Sequence, residues 1–329
     1  MKWMFKLIFL LAALWSGYWF IGARAQEKIY GELLIESRNQ GWTAESRNLG
    51  VSGFPNRFDT TLTGLNIKDP SGRWGWRGDA FNLKVLSYQP NHIILAWPGE
   101  QVVETPVGNL TINAELLRAS LVVEPSVNLP LSRFQIEGEE VGMGSTELGA
   151  ANIGSLNGAF YQDEAKATSY RLGIEMLNSA APQSLISRLG GGTIISRNIE
   201  SIRLSARIEF DRVIDRLALD NGQAPRPISA KIEPSLIMWG ESELAVSGSL
   251  AKGSTGFVEG SLSFDVQNWQ PLYEVFTQAS NLSTTELLTL KRALDTVSGG
   301  GNLEFTLTFS NGKTSIGPFT IGPAPIYPF

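Results

Sequence analysis

The sequence predicts a mainly β protein with a few helices, a β-rich α+β chain in which an N-terminal transmembrane helix precedes a large curved antiparallel sheet or sandwich. Three observations support this fold class. An uncharged run extends from Leu7 to Ala23. Apolar and polar residues alternate in many segments between Trp42 and Ile321, as they do in half-buried strands. Segments with a helical pattern are too few to cover a sheet of that length.

The N-terminal run is long enough to act as a membrane anchor. At helical rise, Leu7 to Ala23 spans about 25 Å, the low end of what a bilayer core requires. Lys2 and Lys6 precede the run, so the positive-inside rule places the N-terminus in the cytoplasm and the rest of the chain on the far side. A removable signal peptide is the alternative, because Ala23-Arg24-Ala25 matches a small-x-small cleavage site. Both interpretations export the chain.

Changes in pattern divide the chain into parts. A predicted anchor, an amphipathic connecting helix and a β-rich domain occupy residues 1–25, 26–41 and 42–329. In the connecting helix Ile29 and Leu33 lie four residues apart, and Gly41 is placed to end it. Within the β-rich domain, the triple glycine Gly190–Gly192 predicts a boundary between two lobes, near residues 180–195.

The clearest strand pattern lies near the C-terminus. Four apolar residues there alternate with polar ones and predict one buried face: Leu303, Phe305, Leu307 and Phe309. Asn311-Gly312 follows and predicts a type I′ hairpin turn. An earlier alternation through Phe58, Thr60 and Leu62 predicts another half-buried strand. The clearest helical segment extends from Trp269 to Val297.

Composition argues against several functional classes. The net charge of −5 and the pI of about 5.2 leave no basic face for phosphates, so nucleic acid is not an expected partner. The chain has no cysteine, which excludes a thiolate zinc site and a cysteine nucleophile. Its one histidine, His92, is expected to be hydrogen-bonded at a strand end. We therefore expect no metal and no cofactor.

One short motif resembles a catalytic signature. Ser249-Leu-Ala-Lys252 matches the Ser-x-x-Lys pattern of acyl-enzymes, and Lys313-Thr314-Ser315 resembles its distal partner. That chemistry requires the serine at the start of a helix, whereas Ser249 ends an alternating segment. We interpret the match as coincidence, expect no catalytic residues, and expect that the protein is not an enzyme.

The apolar strand faces suggest a groove. If the sheet closes into a sandwich, these faces form an ordinary core. If the sheet stays open, they line a slot wide enough for an acyl chain, for which the candidate lining residues are Phe58, Leu62, Phe305, Leu307 and Phe309. The sequence leaves both outcomes open.

Two tryptophans are candidate interface aromatics. Trp74 and Trp76 are expected on one face of a strand, flanked by Arg73 and Arg77. Core packing, a sugar-stacking platform and a membrane-interface patch are the three interpretations of this pair.

Several short blocks together resemble one protein family. In order, they are Ser16–Phe20, Gly41-Trp42, Gly53–Asp59, Tyr88–His92, Leu117–Ser120, Met238–Gly240 and Asn268-Trp269. The chain resembles the family called domain of unknown function 2125, from Gram-negative envelopes, over nearly its whole length. That family is grouped with AsmA-like proteins. The resemblance implies a single-pass inner-membrane anchor, a periplasmic bulk and a curved sheet with a lipid-sized apolar groove, and it implies no catalytic residues.

Three functions remain open at this stage. The first is lipid handling or envelope maintenance, with the membrane and lipid as partners. The second is a structural scaffold or assembly factor of the envelope, with protein partners unknown. The third is a carbohydrate-active enzyme, because two distant acidic residues could converge in the fold.

Overall fold

The computed structural model describes residues 2–147, 149–188, 196–220, 224–279 and 283–327. It confirms the predicted fold class, because 56% of the chain is strand, helices are few, and the strands form a large antiparallel sheet behind an apolar N-terminal helix. The chain divides into two compact units. Unit 1 comprises Met1–Val123 and Ile136–Glu147, and unit 2 comprises Glu124–Gln135 and Leu148–Phe329.

The predicted anchor and connecting helix form one continuous helix, α1 (Lys2–Asn39). Gly41 adopts a positive φ of 86° directly after it, as expected of a glycine that ends a helix. The backbone N–H of Gly41 donates to the carbonyl of Arg38, and that of Trp42 donates to the carbonyl of Ser37. These bonds satisfy carbonyls that the last helical turn leaves free.

Unit 1 places its longest strands at the centre. Its strands are β1 (Thr43–Glu45), β2 (Asn48–Ser52), β3 (Arg57–Lys68), β4 (Gly75–Leu86), β5 (Gln89–Ala96), β6 (Gln101–Thr105), β7 (Gly108–Asn113), β8 (Leu116–Val123) and the part of β9 (Leu131–Ser145) that begins at Ile136. β3 pairs with β1, β2 and β4, and β4 also pairs with β5 and β6. The predicted alternation in β3 is confirmed, because Phe58, Thr60 and Leu62 are all buried.

Unit 2 is an antiparallel meander in which each strand pairs with the next along the chain. Its strands are β10 (Gly149–Asp163), β11 (Lys166–Ala180), β12 (Asn198–Phe210), β13 (Pro227–Trp239), β14 (Ser242–Lys252), β15 (Val258–Gln267), β16 (Leu303–Ser310), β17 (Lys313–Ile316) and β18 (Phe319–Pro323). Its helices are α2 (Gln183–Arg188), α3 (Arg216–Asp220), α4 (Gln270–Ala279) and α5 (Thr284–Ser298).

Two local predictions in unit 2 can be compared directly with the structure. The hairpin turn at Asn311-Gly312 is confirmed, since both residues have positive φ (52° and 71°) as a type I′ turn requires. The helical segment from Trp269 to Val297 consists of two helices, α4 and α5. The triple glycine Gly190–Gly192 lies outside the described residues, so the lobe boundary near 180–195 stays a prediction.

Candidate functional site

One face of the unit 2 meander is apolar across six strands. Ile174 of β11 lies opposite Leu204 of β12, and Phe264 of β15 lies between Val246 of β14 and Phe305 of β16. Between these two sets, Ala206, Ile232 and Gly248 lie opposite one another in β12, β13 and β14. Because alternate side chains of a strand point to opposite faces, these residues share one side of the sheet. We call this side the apolar face.

The opposite face of β11, β12 and β13 is charged. Arg171, Arg207 and Lys231 lie in register on β11, β12 and β13. The carboxylate of Asp163 contacts Arg171 at 3.2 Å and Arg207 at 3.6 Å. The backbone N–H of Ala165 and these two guanidinium groups hold the pKa of Asp163 below its usual value. One solvated face and one apolar face are typical of an antiparallel sheet that is covered on one side.

Helices α4 and α5 cover one end of the apolar face. Trp269, Tyr273, Val266 and Leu303 form a buried cluster there, and Leu290 and Leu294 of α5 pack against it. The side chain of Trp269 is only 2% exposed. This end is therefore ordinary protein core.

The other end of the apolar face is also sealed. Phe309 is buried with Val258 and with Ala324 of the C-terminal tail. At the same end of the sheet, Tyr170 of β11 is completely buried and stacks on Phe160 of β10, with ring centroids 4.9 Å apart. Strands β14 to β16 are thus covered at both of their ends.

The middle of the apolar face is less covered than its ends. One residue from each of six strands defines what we call the central apolar row: Ile174, Leu204, Ile232, Val246, Phe264 and Phe305. Five of these side chains are half-buried, and Leu204 is 37% exposed. Phe264 and Phe305 stack on each other with ring centroids 4.9 Å apart. In a closed sandwich such positions interdigitate with a second sheet, so their partial exposure is typical of a face that is not sealed.

An open groove of about 760 Å³ lies at the β14–β16 end of this row. Its apolar lining residues are Val246, Phe264, Phe305, Ile316 and Val297, the last from α5. Its lining also includes Ser247, Ser263 and Thr306, which alternate with the apolar residues and therefore belong to the opposite face of these strands. The volume falls within the range of about 300–1,000 Å³ that is usual for small-molecule sites.

Two acidic residues also border this groove, on the face opposite Phe264 and Phe305. Asp265 of β15 and Glu304 of β16 lie directly opposite each other in register. Side chains so placed have Cβ atoms roughly 4.5–5.5 Å apart. The Oδ1 atom of Asp265 is buried and has no hydrogen-bond partner among the described residues.

The five predicted groove-lining residues lie in different surroundings. Phe58 and Leu62 are buried in unit 1, where Phe58 packs against Trp19 and Ala23 of α1. In unit 2, Phe305 lines the groove, Leu307 packs against the cluster at the sealed end, and Phe309 belongs to that cluster. Contact of these positions with an acyl chain stays a prediction, and Phe305 is the one of the five that faces the groove.

Trp74 and Trp76 also differ from each other. Trp74 is 54% exposed and lies in the turn before β4, where its backbone N–H donates to Asp69. Trp76 lies within β4, is half-buried, and donates from its indole Nε1 to Gln101 at 3.0 Å. Its ring meets Phe81 edge-on, as in core packing. The roles proposed for the pair stay predictions.

The three remaining candidate residues lie in strands. Ser249 and Lys252 belong to β14, so the helical context of an acyl-enzyme serine is not present at this motif. His92 lies inside β5 rather than at its end, and its Nε2 is 2.8 Å from the hydroxyl of Ser120.

Sequence reasoning missed most of the central apolar row. Leu204 and Ile232 lie in β12 and β13, whose pairing contains register shifts that interrupt a simple period-two pattern. The alternation in β11 through Leu172, Ile174 and Met176 is a usable signal. Which strands stand side by side, however, depends on pairing that no local pattern specifies.

A second set of contacts joins α1 to the β-rich part of unit 1. Sequence reasoning did not predict these contacts either. Three aromatic side chains of the helix donate hydrogen bonds to backbone carbonyls: Trp15 to Pro55 at 2.8 Å, Tyr18 to Ser87 at 2.9 Å and Trp19 to Arg57 at 2.7 Å. Phe54 meets Trp19 edge-on and stacks on Phe20. By length and composition, α1 is also a helix that could cross a membrane.

The fold and the site together show that the chain is a β-rich protein with an apolar N-terminal helix and an amphipathic antiparallel sheet. A family profile described as "uncharacterized protein conserved in bacteria" (DUF2125) matches residues 19–325. The chain therefore belongs to this family, which confirms the resemblance to domain of unknown function 2125. No curated protein and no solved structure matches the chain.

Proposed function

We propose that α1 anchors the protein in the bacterial inner membrane, that the β-rich part lies in the periplasm, and that the apolar face of unit 2 holds acyl chains of lipids. The observation that carries this proposal is the partial exposure of the central apolar row, which on β14 to β16 lies between two covered ends. The AsmA-like grouping belongs to the same proposal, since it implies a lipid-sized groove. In this proposal the protein is a lipid-handling component of envelope maintenance and not an enzyme.

The features of α1 support the anchor. Its side chains from Leu7 to Leu14 are mostly exposed and apolar, and Lys2 and Lys6 precede this segment. Exposed apolar side chains on a helix of this length are costly in water and favourable in a bilayer. The two lysines favour a cytoplasmic N-terminus.

The dimensions and energetics of the row support an acyl ligand. Six strands about 4.8 Å apart make a row about 24 Å long. Each buried methylene of a chain lying along it would contribute roughly 0.8 kcal/mol, so binding requires no polar contact. A site of this kind favours lipids over small polar ligands.

Photo-crosslinking tests the proposal. The full chain in nanodiscs is mixed with a phospholipid that carries a diazirine in its acyl chain, and the labelled peptides are mapped by mass spectrometry. We expect labels on the central apolar row. Ile174→Asp and Leu204→Asp should each lower that labelling, because a carboxylate on the apolar face opposes an acyl chain.

Gly173→Asp is the matched control for Ile174→Asp. Gly173 is the neighbouring residue on the opposite face, and a Cβ there meets nothing within 4 Å. Labelling of the row should be unchanged in this variant, and thermal unfolding should show that all variants fold. Labels confined to α1, or equal labelling in Ile174→Asp and Gly173→Asp, would contradict lipid binding by this face.

Specific observations also favour the two alternatives. Phe319 and Ile321 of β18 are 73% and 57% exposed, which suits a scaffold that binds a protein partner. Asp265 and Glu304 at the groove suit a carbohydrate-active enzyme. Loss of a co-purifying protein in Phe319→Ser would support the scaffold. Glycan hydrolysis that Asp265→Asn abolishes would support the enzyme.

A further inference from the structure

The contact between α1 and the β-rich part of unit 1 involves residues of the helix that would also have to cross the membrane. From Leu7, helical rise places Trp15 about 12 Å along the axis and Ala23 about 24 Å along it. The hydrocarbon core of a bilayer is about 30 Å thick. If the β-rich part of unit 1 stayed outside the membrane, only Lys2 to Leu14, about 20 Å of helix, would remain free to span the bilayer. That length is too short.

Two segments of unit 1 lie against this part of the helix. The first is the loop of residues 53–56, which we call the Phe54 loop, and the second is the Ser87-Tyr88 turn. The two are joined to each other, since the backbone N–H and the hydroxyl of Ser87 both contact the carbonyl of Asn56.

Backbone groups at the contact with the helix have hydrogen-bond partners in the protein and need no water there. The carbonyls of Pro55, Arg57 and Ser87 accept from Trp15, Trp19 and Tyr18. The N–H of Arg57 donates to the carbonyl of Gly53. Irregular backbone is tolerated at membrane depth where protein groups complete its hydrogen bonds in this way.

Most outward side chains of these segments are apolar or amphipathic, and Asn56 is the exposed polar residue of the Phe54 loop. Phe54 is 52% exposed and Tyr88 is 65% exposed, and beside them on α1 Phe20 is 58% exposed. Arg57 is a charged residue beside them. It pairs with Asp59 at 3.0 Å while more than half of its side chain stays exposed, so it can reach lipid headgroups.

From this geometry we infer that the Phe54 loop and the Ser87-Tyr88 turn insert beside α1 into the membrane leaflet nearest the β-rich part. Their partner is the acyl and headgroup region of that leaflet. Insertion resolves the overlap, because α1 then keeps its full span while it stays packed against unit 1. The inference rests on the membrane anchor proposed above.

Single-cysteine labelling tests it directly, because the natural chain has no cysteine. An environment-sensitive fluorophore is attached to Phe54→Cys or Tyr88→Cys in the full chain, reconstituted in phosphatidylethanolamine–phosphatidylglycerol nanodiscs. Nitroxide-labelled lipids then quench it according to depth. We expect blue-shifted emission and loss of most of the fluorescence at both positions.

Two further positions separate the possible outcomes. Leu11→Cys, on the exposed apolar part of α1, reports the anchor itself. Val107→Cys, in the β6–β7 turn at the other end of unit 1, is 76% exposed and should remain unquenched. β6 pairs with the start of β4. The start of β4 lies opposite Lys68 of β3, and Lys68 is about 36 Å along β3 from Arg57.

Quenching at Leu11, Phe54 and Tyr88 but not at Val107 would support the inference. Quenching at Leu11 alone would overturn it while leaving the anchor intact. No quenching at Leu11 would overturn both the anchor and the inserted loop. Because Phe54→Cys removes an aromatic contact, a result at Tyr88 decides the matter if the Phe54 variant unfolds.

Discussion

Trp19 and Phe58 stack with ring centroids 5.8 Å apart, and their contact connects the apolar helix to the β-rich part of unit 1. The indole of Trp19 is only 5% exposed, although it belongs to a helix whose other large side chains are mostly exposed. α1 is therefore a packed element of unit 1 as well as a candidate membrane anchor.

Gly22 allows this close packing. A Cβ at Gly22 would lie 2.6 Å from Cζ of Phe58, whose buried ring has little room to withdraw. We expect Gly22→Ala to loosen the contact and to increase amide hydrogen exchange over residues 54–60. Gly17→Ala is the control, since nothing lies within 4 Å of that position and alanine favours the helix by about 1 kcal/mol. Equal exchange in the two variants would show that the packing does not depend on Gly22.

Gly260 should be essential for the close pairing of β15 with β14. Its φ is 132°, and a Cβ there would lie 2.1 Å from the backbone oxygen of Ser249 on the neighbouring strand. Backbone strain of this kind costs about 1–3 kcal/mol before the clash is counted, so Gly260→Ala should clearly lower the midpoint of thermal unfolding. Gly173→Ala, with open space around its Cβ and no positive φ, should leave the midpoint nearly unchanged. A similar midpoint in both variants would refute the requirement.

Trp269 is expected to hold α4 and α5 on the sheet. Truncation of a buried tryptophan typically costs about 3–5 kcal/mol, so Trp269→Ala should strongly destabilise unit 2 in urea titrations. Trp74→Ala removes a tryptophan that is 54% exposed and should change the free energy of unfolding by no more than about 0.5 kcal/mol. Comparable losses in the two variants would argue against the helices' anchoring role.

Asp163 predicts a dependence of stability on pH. Its folded-state pKa lies below the usual value of about 3.9, because the N–H of Ala165 and the guanidinium groups of Arg171 and Arg207 favour the carboxylate. The stabilisation is therefore complete above the unfolded-state pKa and is lost as pH falls through the lower folded-state value. We expect Asp163→Asn to unfold at a lower temperature than wild type at pH 7.

The difference between Asp163→Asn and wild type should shrink as the pH is lowered from 5 to 3. Thermal unfolding followed by circular dichroism across this range measures it. A difference that is constant with pH would mean that the substitution acts through packing rather than through the loss of a carboxylate.

Local sequence patterns accounted for elements whose cause is local. The uncharged run before Arg24 determined the apolar helix, and Gly41 determined where that helix ends, since only nearby residues satisfy a helix terminus. Asn311-Gly312 determined the last hairpin for the same reason, because a two-residue turn needs positive φ at both positions. Alternation in β3 and β16 determined which of their side chains are turned toward an apolar layer.

Tertiary structure decided which apolar faces are sealed and which are open. Phe305 and Phe309 lie on the same face of one strand, yet Phe309 is buried under the C-terminal tail while Phe305 lines a groove. Likewise, Trp15 and Trp19 look in the sequence like ordinary residues of an apolar helix. Only the fold brings the carbonyls of Pro55 and Arg57 to their indole N–H groups. The physical reason is that alternation specifies the direction of a side chain, whereas burial depends on what distant parts of the chain place above it.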